Sequence, residues 1–253
     1  MNIHIPSEQE IKKLTGEAVK FFWETREKQM NKQASGKDTG NRGAVTGGKQ
    51  MDGFADMLTD LLGKVGISNH EVFTSEKPHL PGYFRATKKW DFLVVKTNDR
   101  GEKYLLAAVE LKSHVGPSFG NNLNNRVEES LGSATDIWIA FREKAFKNSR
   151  SPWLGYLMLL EDCPQSTKPV KVDEPHFEVF PEFKNASYAK RYELFCRKIV
   201  LERKYTSSCL LMSDKQGGLQ GIYKEPANDL KIYPFLYSLL THVATEAALI
   251  SSS

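Results

Sequence analysis

Asp91, Glu110 and Lys112 are the residues of this chain best placed to act together. Two carboxylates and an amine at the ends of adjacent extended segments can hold a divalent cation and drive phosphodiester hydrolysis. Asp91 opens the apolar run Phe92-Leu93-Val94-Val95, and Glu110-Leu111-Lys112 closes a second run, Tyr104 to Val109. Between the runs lies Lys96-Thr97-Asn98-Asp99-Arg100-Gly101-Glu102, a polar turn signal. In a hairpin the numbers of opposed residues sum to a constant. For Asp91 and Glu110 the sum is 201, which centres the turn between Arg100 and Gly101. Opposed residues sit ~5 Å apart, close enough to share one ion. Strand alternation puts Glu110 and Lys112 on one face and the Leu111 side chain in the core, leaving the Leu111 carbonyl as a possible third ligand.

The pattern acid, any residue, lysine also occurs at Glu10-Lys12, Glu182-Lys184, Glu202-Lys204 and Asp229-Lys231, where solvated charge accounts for it. Only the copy at 110 ends an apolar run with a partner acid on the preceding one. Hairpin arms also end in exposed charges as a matter of course, so the local pattern alone leaves catalytic and solvated readings level.

Around this hairpin the periodicity predicts several elements. Ser7 and Glu10 have capping-box spacing at the head of a helix running to about Lys32, with Ile11, Leu14, Ala18 and Phe21-Phe22 at helical spacing. Residues 33–53 are polar and glycine-rich and read as a long loop. Phe54 to Val65 is a second helix, with Phe54, Met57, Leu58, Leu61 and Leu62 inward. Leu80-Pro81-Gly82-Tyr83 is a turn before the hairpin, and Gly116 to Asn122 is irregular. A third helix, Asn124 to Lys144, buries Val127, Leu131, Ala134, Trp138 and Phe141. Trp153 to Leu160 is a buried strand. Ser187 to Lys204 is a basic helix burying Tyr192, Phe195 and Ile199, Thr206 to Met212 a strand, and Tyr233 to Ile250 a closing helix. This order implies an α/β fold with a mixed central sheet flanked by helices, without repeats or a domain boundary.

The 253 residues are 40% hydrophobic, enough for a proper core, and no apolar run approaches the ~20 residues of a membrane span. Cys163, Cys196 and Cys209 form no CxxC and leave an odd count, which suggests neither a disulfide frame nor a zinc site and fits a reducing cytoplasm. Net charge is only +4, but residues 11–50 carry nine Lys/Arg against four acids, and residues 184–204 seven against two. Such clusters can neutralise phosphates or simply solvate a helix face.

Gly43-Ala44-Val45-Thr46-Gly47-Gly48-Lys49 approaches the phosphate-binding GxxxxGK loop, yet Gln50 follows where Ser or Thr should bind magnesium, and no buried strand precedes it. A flexible loop bringing Arg42 and Lys49 to DNA is the better reading, since arginine can read guanine. Asn121, Asn122, Asn124, Asn125 and Arg126 form a polar cluster suited to adenine edges and phosphates, although helix capping uses such residues too. His114 is a candidate general base, with a hydrogen-bonded strand-end histidine the stronger reading. Glu128 and Glu129 suit a helix N-terminus better than a metal, and Glu17 is a remote candidate ligand.

Several longer stretches carry a resemblance: Gly40 to Lys49; Leu80-Pro81-Gly82-Tyr83-Phe84-Arg85 leading to Trp90-Asp91; Val109 to Ser113; Gly116 to Asn122 and Asn124-Asn125-Arg126; Leu159 to Cys163; and Ser187 to Tyr192. Together they resemble the XhoI-type restriction endonucleases, within the PD-(D/E)xK nuclease group. The resemblance implies a restriction-endonuclease-like fold in a single endonuclease domain, 1–253. By position it makes Asp91 and Glu110 the acids and Lys112 the lysine, with Trp90 standing where the motif has proline. It implies a type II, bacterial, cytoplasmic enzyme that cuts double-stranded DNA at CTCGAG after the first C, requires Mg²⁺, acts as a homodimer and needs no nucleotide cofactor. The rival expectations are a non-catalytic DNA-binding protein with this fold and a P-loop NTPase.

Overall fold

The computed structural model describes residues 5–34, 49–75 and 78–251. Five long helices, α1 (Glu8–Ala34), α2 (Asp52–Lys64), α3 (Phe119–Arg142), α4 (Tyr188–Leu201) and α5 (Ile232–Ser251), enclose a mixed sheet. Its five strands are β1 (Val72–Phe73), β4 (Phe92–Thr97), β5 (Lys103–His114), β6 (Trp153–Glu161) and β7 (Ser207–Ser213), in the order β1-β4-β5-β6-β7. A separate two-stranded ribbon pairs β2 (His79–Pro81) with β3 (Thr87–Lys89). β4 and β5 are antiparallel, while β5, β6 and β7 run parallel through helical crossovers. Parallel strands need such crossovers, and α3 and α4 supply them.

The expected α/β architecture is thus found, and each long helix and main strand is present, with α3 starting earlier than its periodicity suggests. The sheet separates two cores. One face packs Phe92, Val94, Val109, Leu111, Leu157 and Leu211 against α1, α2 and α5. The other packs Leu93, Ala108, Tyr156, Met158 and Leu210 against α3 and α4. Near-continuous apolar sequence in β6 reflects burial on both faces. α2 buries all five apolar residues expected of it.

Three expectations need correction. α3 begins at Phe119, not Asn124, because Phe119 and Leu123 are themselves buried and carry the apolar stripe back through the asparagines. Leu131 and Phe21 turn outward at 38% and 39% exposure, since neighbours on the same helices already fill the core. The Leu80–Tyr83 turn is part of the β2–β3 ribbon, with Leu80 opposite Lys88.

The hairpin register is the one that positions the site. Phe92 pairs with Val109, Leu93 with Ala108 and Val94 with Ala107, which keeps the expected sum and sets Asp91 opposite Glu110 at the strand mouth. Nearer the turn the register slips, so Val95 pairs with Leu105 and Lys96 with Tyr104. Leu106 is the extra residue of a β-bulge, and both Leu106 and Ala107 face the same core. Asn98 closes the turn, its side-chain oxygen accepting from the Arg100 and Glu102 amides at 3.1 and 2.9 Å. Gly101 takes a φ of 77°, a conformation that costs glycine little.

Candidate active site

β5 alternates so that Ala108, Glu110, Lys112 and His114 face α3 and α4, while Val109 and Leu111 enter the opposite core. The Glu110 side chain is 1% exposed. Asp91, in the link between β3 and β4, is half-buried and accepts from the Leu111 amide at 3.0 Å. Lys112 Nζ lies 2.8 Å from Asp91 Oδ2 and 3.8 Å from Glu110 Oε2. Asp91, from the link before β4, and Glu110, from β5, therefore converge on the Lys112 amine.

A fourth residue, unexpected from the sequence, joins them. Lys88 on β3 bonds Glu110 Oε1 at 2.7 Å and lies over the Trp90 ring, 4.1 Å from its centre. Trp90 is buried, and its amide donates to the Pro78 carbonyl at 2.8 Å. A proline at 90 has no proton to give there, which explains physically why this chain tolerates the departure from the motif.

Burial presses the Glu110 pKa upward, but Lys112 and Lys88 outweigh it, with a smaller contribution from Ser133, and the carboxyl titrates below its usual range. Burial likewise presses Lys112 down, and Glu110 and Asp91 outweigh it, so the ammonium is held more firmly than usual. The group is two acids neutralised by two amines. Glu110 Oε2 is buried with no hydrogen-bond partner among the described residues, the Lys112 ammonium lying beyond hydrogen-bond range at 3.8 Å. A buried carboxylate oxygen without a partner is costly, and a hard cation is the kind of ligand that satisfies it. The carboxylates of Asp91 and Glu110 thus fit a divalent metal. No group of three or more His, Cys, Asp or Glu side chains with metal-binding geometry occurs among the described residues, so further donors must come from backbone, water or substrate.

Of the other candidates, Arg126 comes near. It is half-buried on α3, pairs with Glu129 at 3.0 Å, and its charge acts on both Lys112 and His114. Asn121, Asn124 and Asn125 are exposed on the first turns of α3, and Asn122 is half-buried there. Lys49 is exposed just ahead of α2. Arg42 and the glycine-rich stretch 43–48 lie outside the described residues.

His114 is not placed as a base. It is 2% exposed, its Nδ1 lies 2.7 Å from the Tyr192 hydroxyl, and its ring packs on Phe119 at 4.6 Å. Burial, helped by Arg126, lowers its pKa to about 4. Glu17 pairs with Lys13 on α1, which packs on the other face of the sheet, and Glu129 is engaged by Arg126, so neither joins the site. Much of the 184–204 charge is already paired, Lys190 with Glu193 and Lys198 with Glu202 within the segment and Arg197 with Asp229 beyond it.

Sequence reading also missed Asp136. Its side chain is 4% exposed, and it accepts from the amides of Tyr83 and Phe84 at 2.6 and 2.9 Å and from Arg85 Nε at 2.7 Å. Those bonds, with Arg85, hold its pKa down against burial, the largest opposing influence. Lys88 and Asp136 reach their partners across 22 and about 50 residues, distances at which local periodicity carries no signal.

A mixed sheet with an acid pair and a lysine at the mouth of its antiparallel arm defines a restriction-endonuclease-like fold. Comparison with known proteins agrees. The sequence model of the family described as restriction endonuclease XhoI matches residues 28–225, and the chain belongs to that family. It is 99% identical over 224 residues to the type II restriction enzyme BstVI of Geobacillus stearothermophilus, covering 88% of this chain and 100% of that one. It is 47% identical over 186 residues to the type II restriction enzyme XhoI of Xanthomonas vasicola, 73% of each chain. With AbrI of Azospirillum brasilense the identity is 45% over 163 residues, 64% of this chain and 71% of that one. No solved structure matches. The chain is a type II restriction endonuclease, which displaces both rival expectations.

Proposed function

We propose that this endonuclease hydrolyses double-stranded DNA in a Mg²⁺-dependent reaction at the palindrome CTCGAG, after the first C, leaving 5′ overhangs. The observation that carries the catalytic reading is the convergence of Asp91 and Glu110 on Lys112, with a buried carboxylate oxygen left over. The recognition sequence and cut position follow from the family resemblance.

In this reading Asp91, Glu110 and the Leu111 carbonyl hold the cation. Bound there, a divalent ion would supply a more acidic water and charge to offset that building on the phosphate. Lys112 keeps its proton and sets a positive charge beside the scissile group, where preorganised charge is most effective. Lys88 is a positioning residue that fixes the Glu110 carboxylate. Arg42, Lys49, Asn121, Asn122, Asn124, Asn125 and Arg126 contact DNA. The chain works as one domain, bacterial and cytoplasmic, without a nucleotide cofactor. No helix among the described residues is long and apolar enough to cross a membrane. A two-fold palindrome matches a homodimer in which each protomer cuts one strand.

The test is digestion of a sequenced plasmid with and without Mg²⁺, followed by mapping of the ends. Ends at C^TCGAG only with the metal support the reading. Metal-independent cutting refutes the cofactor assignment, and ends at another sequence refute the site.

A further inference from the structure

We propose that Tyr83 and Phe84 form an aromatic wedge that packs against bases of the bound duplex beside the cut, with Asp136 as its positioning residue. The inference rests on the nuclease reading above and adds a DNA contact that the sequence motifs did not assign.

Tyr83 and Phe84 are 58% and 71% exposed. Their rings meet edge to face with centres 5.8 Å apart. Large aromatics displayed on a surface loop are costly to leave in water and usually serve binding. A floppy display would waste binding energy on ordering the loop, and this one is not floppy. A buried aspartate on α3 takes both of their backbone amides and the Arg85 guanidinium. Gly82 completes the clamp, because a Cβ there would collide with the Asp136 carboxylate. Chain conformation is thus fixed by buried charge while both rings, packed on each other, keep most of their surface exposed. That arrangement holds a surface ready for something else.

Position identifies the partner. The turn is the tip of the β2–β3 ribbon, and the same ribbon sends Lys88 to Glu110 at 2.7 Å. α3 ties the other side, supplying Ser133 toward Glu110 and, one turn on, Asp136 to the tip. One ribbon and one helix therefore fix both the catalytic carboxylate and the aromatic pair. Residues 79–89 contain no acid; Arg85 is held by Asp136 and Lys88 by Glu110, and exposed Lys89 is the cation of the ribbon that suits a phosphate backbone. Apolar side chains presented among cations next to a phosphodiester-cleaving centre fit a duplex, where such wedges rest on or between bases.

The test compares wild type with Tyr83→Ala/Phe84→Ala on a duplex carrying the site that end-mapping assigns to wild type. Failure of the nuclease reading then appears in the wild type, and failure of the wedge only in the variants. Binding is measured in Ca²⁺, turnover in Mg²⁺, and oligomeric state by sedimentation. The double variant is expected to bind about tenfold to a hundredfold more weakly, as aromatic–base contacts are worth roughly that much. Its melting temperature and sedimentation should match wild type, because both rings are exposed. Tyr83→Phe and Phe84→Tyr should bind within about twofold of wild type. Asp136→Asn should weaken binding as well, and adding it to the double variant should cost little more, since position without rings is worthless. A double variant that binds within about twofold of wild type overturns the proposal. So does a loss of affinity that accompanies dissociation of the protomers, which would assign the rings to an interface between copies of the chain.

Discussion

Replacing Lys88 by methionine removes one of the two charges that neutralise Glu110 while keeping most of the side chain's length against Trp90. Breaking a buried ion pair from one side costs ~3–5 kcal/mol, mostly because the remaining charge is left uncompensated. Here Lys112 stays 3.8 Å from Glu110 Oε2, which places Lys88→Met near the lower end, about 3 kcal/mol. In a chain of this size about 1 kcal/mol shifts Tm by ~2–4 °C, so metal-free Lys88→Met should melt about 6–12 °C below wild type. Lys88→Arg should recover much of the loss. Glu110→Gln in the Lys88→Met background should recover part of it too, because no uncompensated charge then remains, and the coupling in that double-mutant cycle should be about 2 kcal/mol. Adding Mg²⁺ should raise Tm more in Lys88→Met than in wild type, since the cation no longer competes with an amine for the carboxylate. Differential scanning calorimetry in chelator and in Mg²⁺ measures all five proteins, wild type, Lys88→Met, Lys88→Arg, Glu110→Gln and the double variant. A Lys88→Met protein melting within 1 °C of wild type, with the same response to Mg²⁺, would refute the argument that Lys88 neutralises the site.

Stability should fall in mild acid through His114. Its pKa is about 4 folded and about 6.5 unfolded, so the unfolded chain binds more protons in that window. The contribution is complete above pH 6.5 and is lost as pH falls toward 4, about 2 kcal/mol of it between pH 7 and 5. His242 is also lowered by burial and acts in the same direction, so urea unfolding of His114→Gln is the comparison that isolates His114, and its pH dependence should be flatter than wild type. Arg126→Ala should weaken binding to specific and unrelated duplexes alike and reduce the slope of log K against log salt by ~0.9 if its guanidinium meets a phosphate. An unchanged slope rules that contact out.

How far the sequence could be read is clearest in the hairpin and the ribbon beside it. Asp91 and Glu110 could be placed opposite each other because two apolar runs and an Asn-Asp-Arg-Gly turn leave few registers open. The bulge at Leu106 was invisible, since Leu106-Ala107 reads as ordinary strand and only the partner shows the slip. The start of α3 is hidden in the sequence because Gly116-Pro117-Ser118-Phe119-Gly120 is turn-like in composition, while burial of Phe119 and Leu123 decides the matter. Lys88 was hidden because the ribbon is two three-residue strands, too short for periodicity, and its use depends on how the ribbon docks on β5. Asp136 looked like any charge on a helix until its partners, about fifty residues earlier, were in view. What was legible depended on neighbours in sequence, and what was not depended on packing between distant segments.

Asp91 and Glu110 are proposed to hold jointly the ion needed for cleavage. That assignment is tested most directly by single-turnover cleavage of a mapped duplex with Asp91→Ala and Glu110→Gln, alongside binding of the same duplex. Each variant should lose at least a thousandfold in cleavage rate (about 4 kcal/mol of barrier), keep specific binding and lose the heat of Mg²⁺ binding in calorimetry. Cleavage by either variant within about tenfold of wild type, or undiminished Mg²⁺ binding in both, would contradict that assignment.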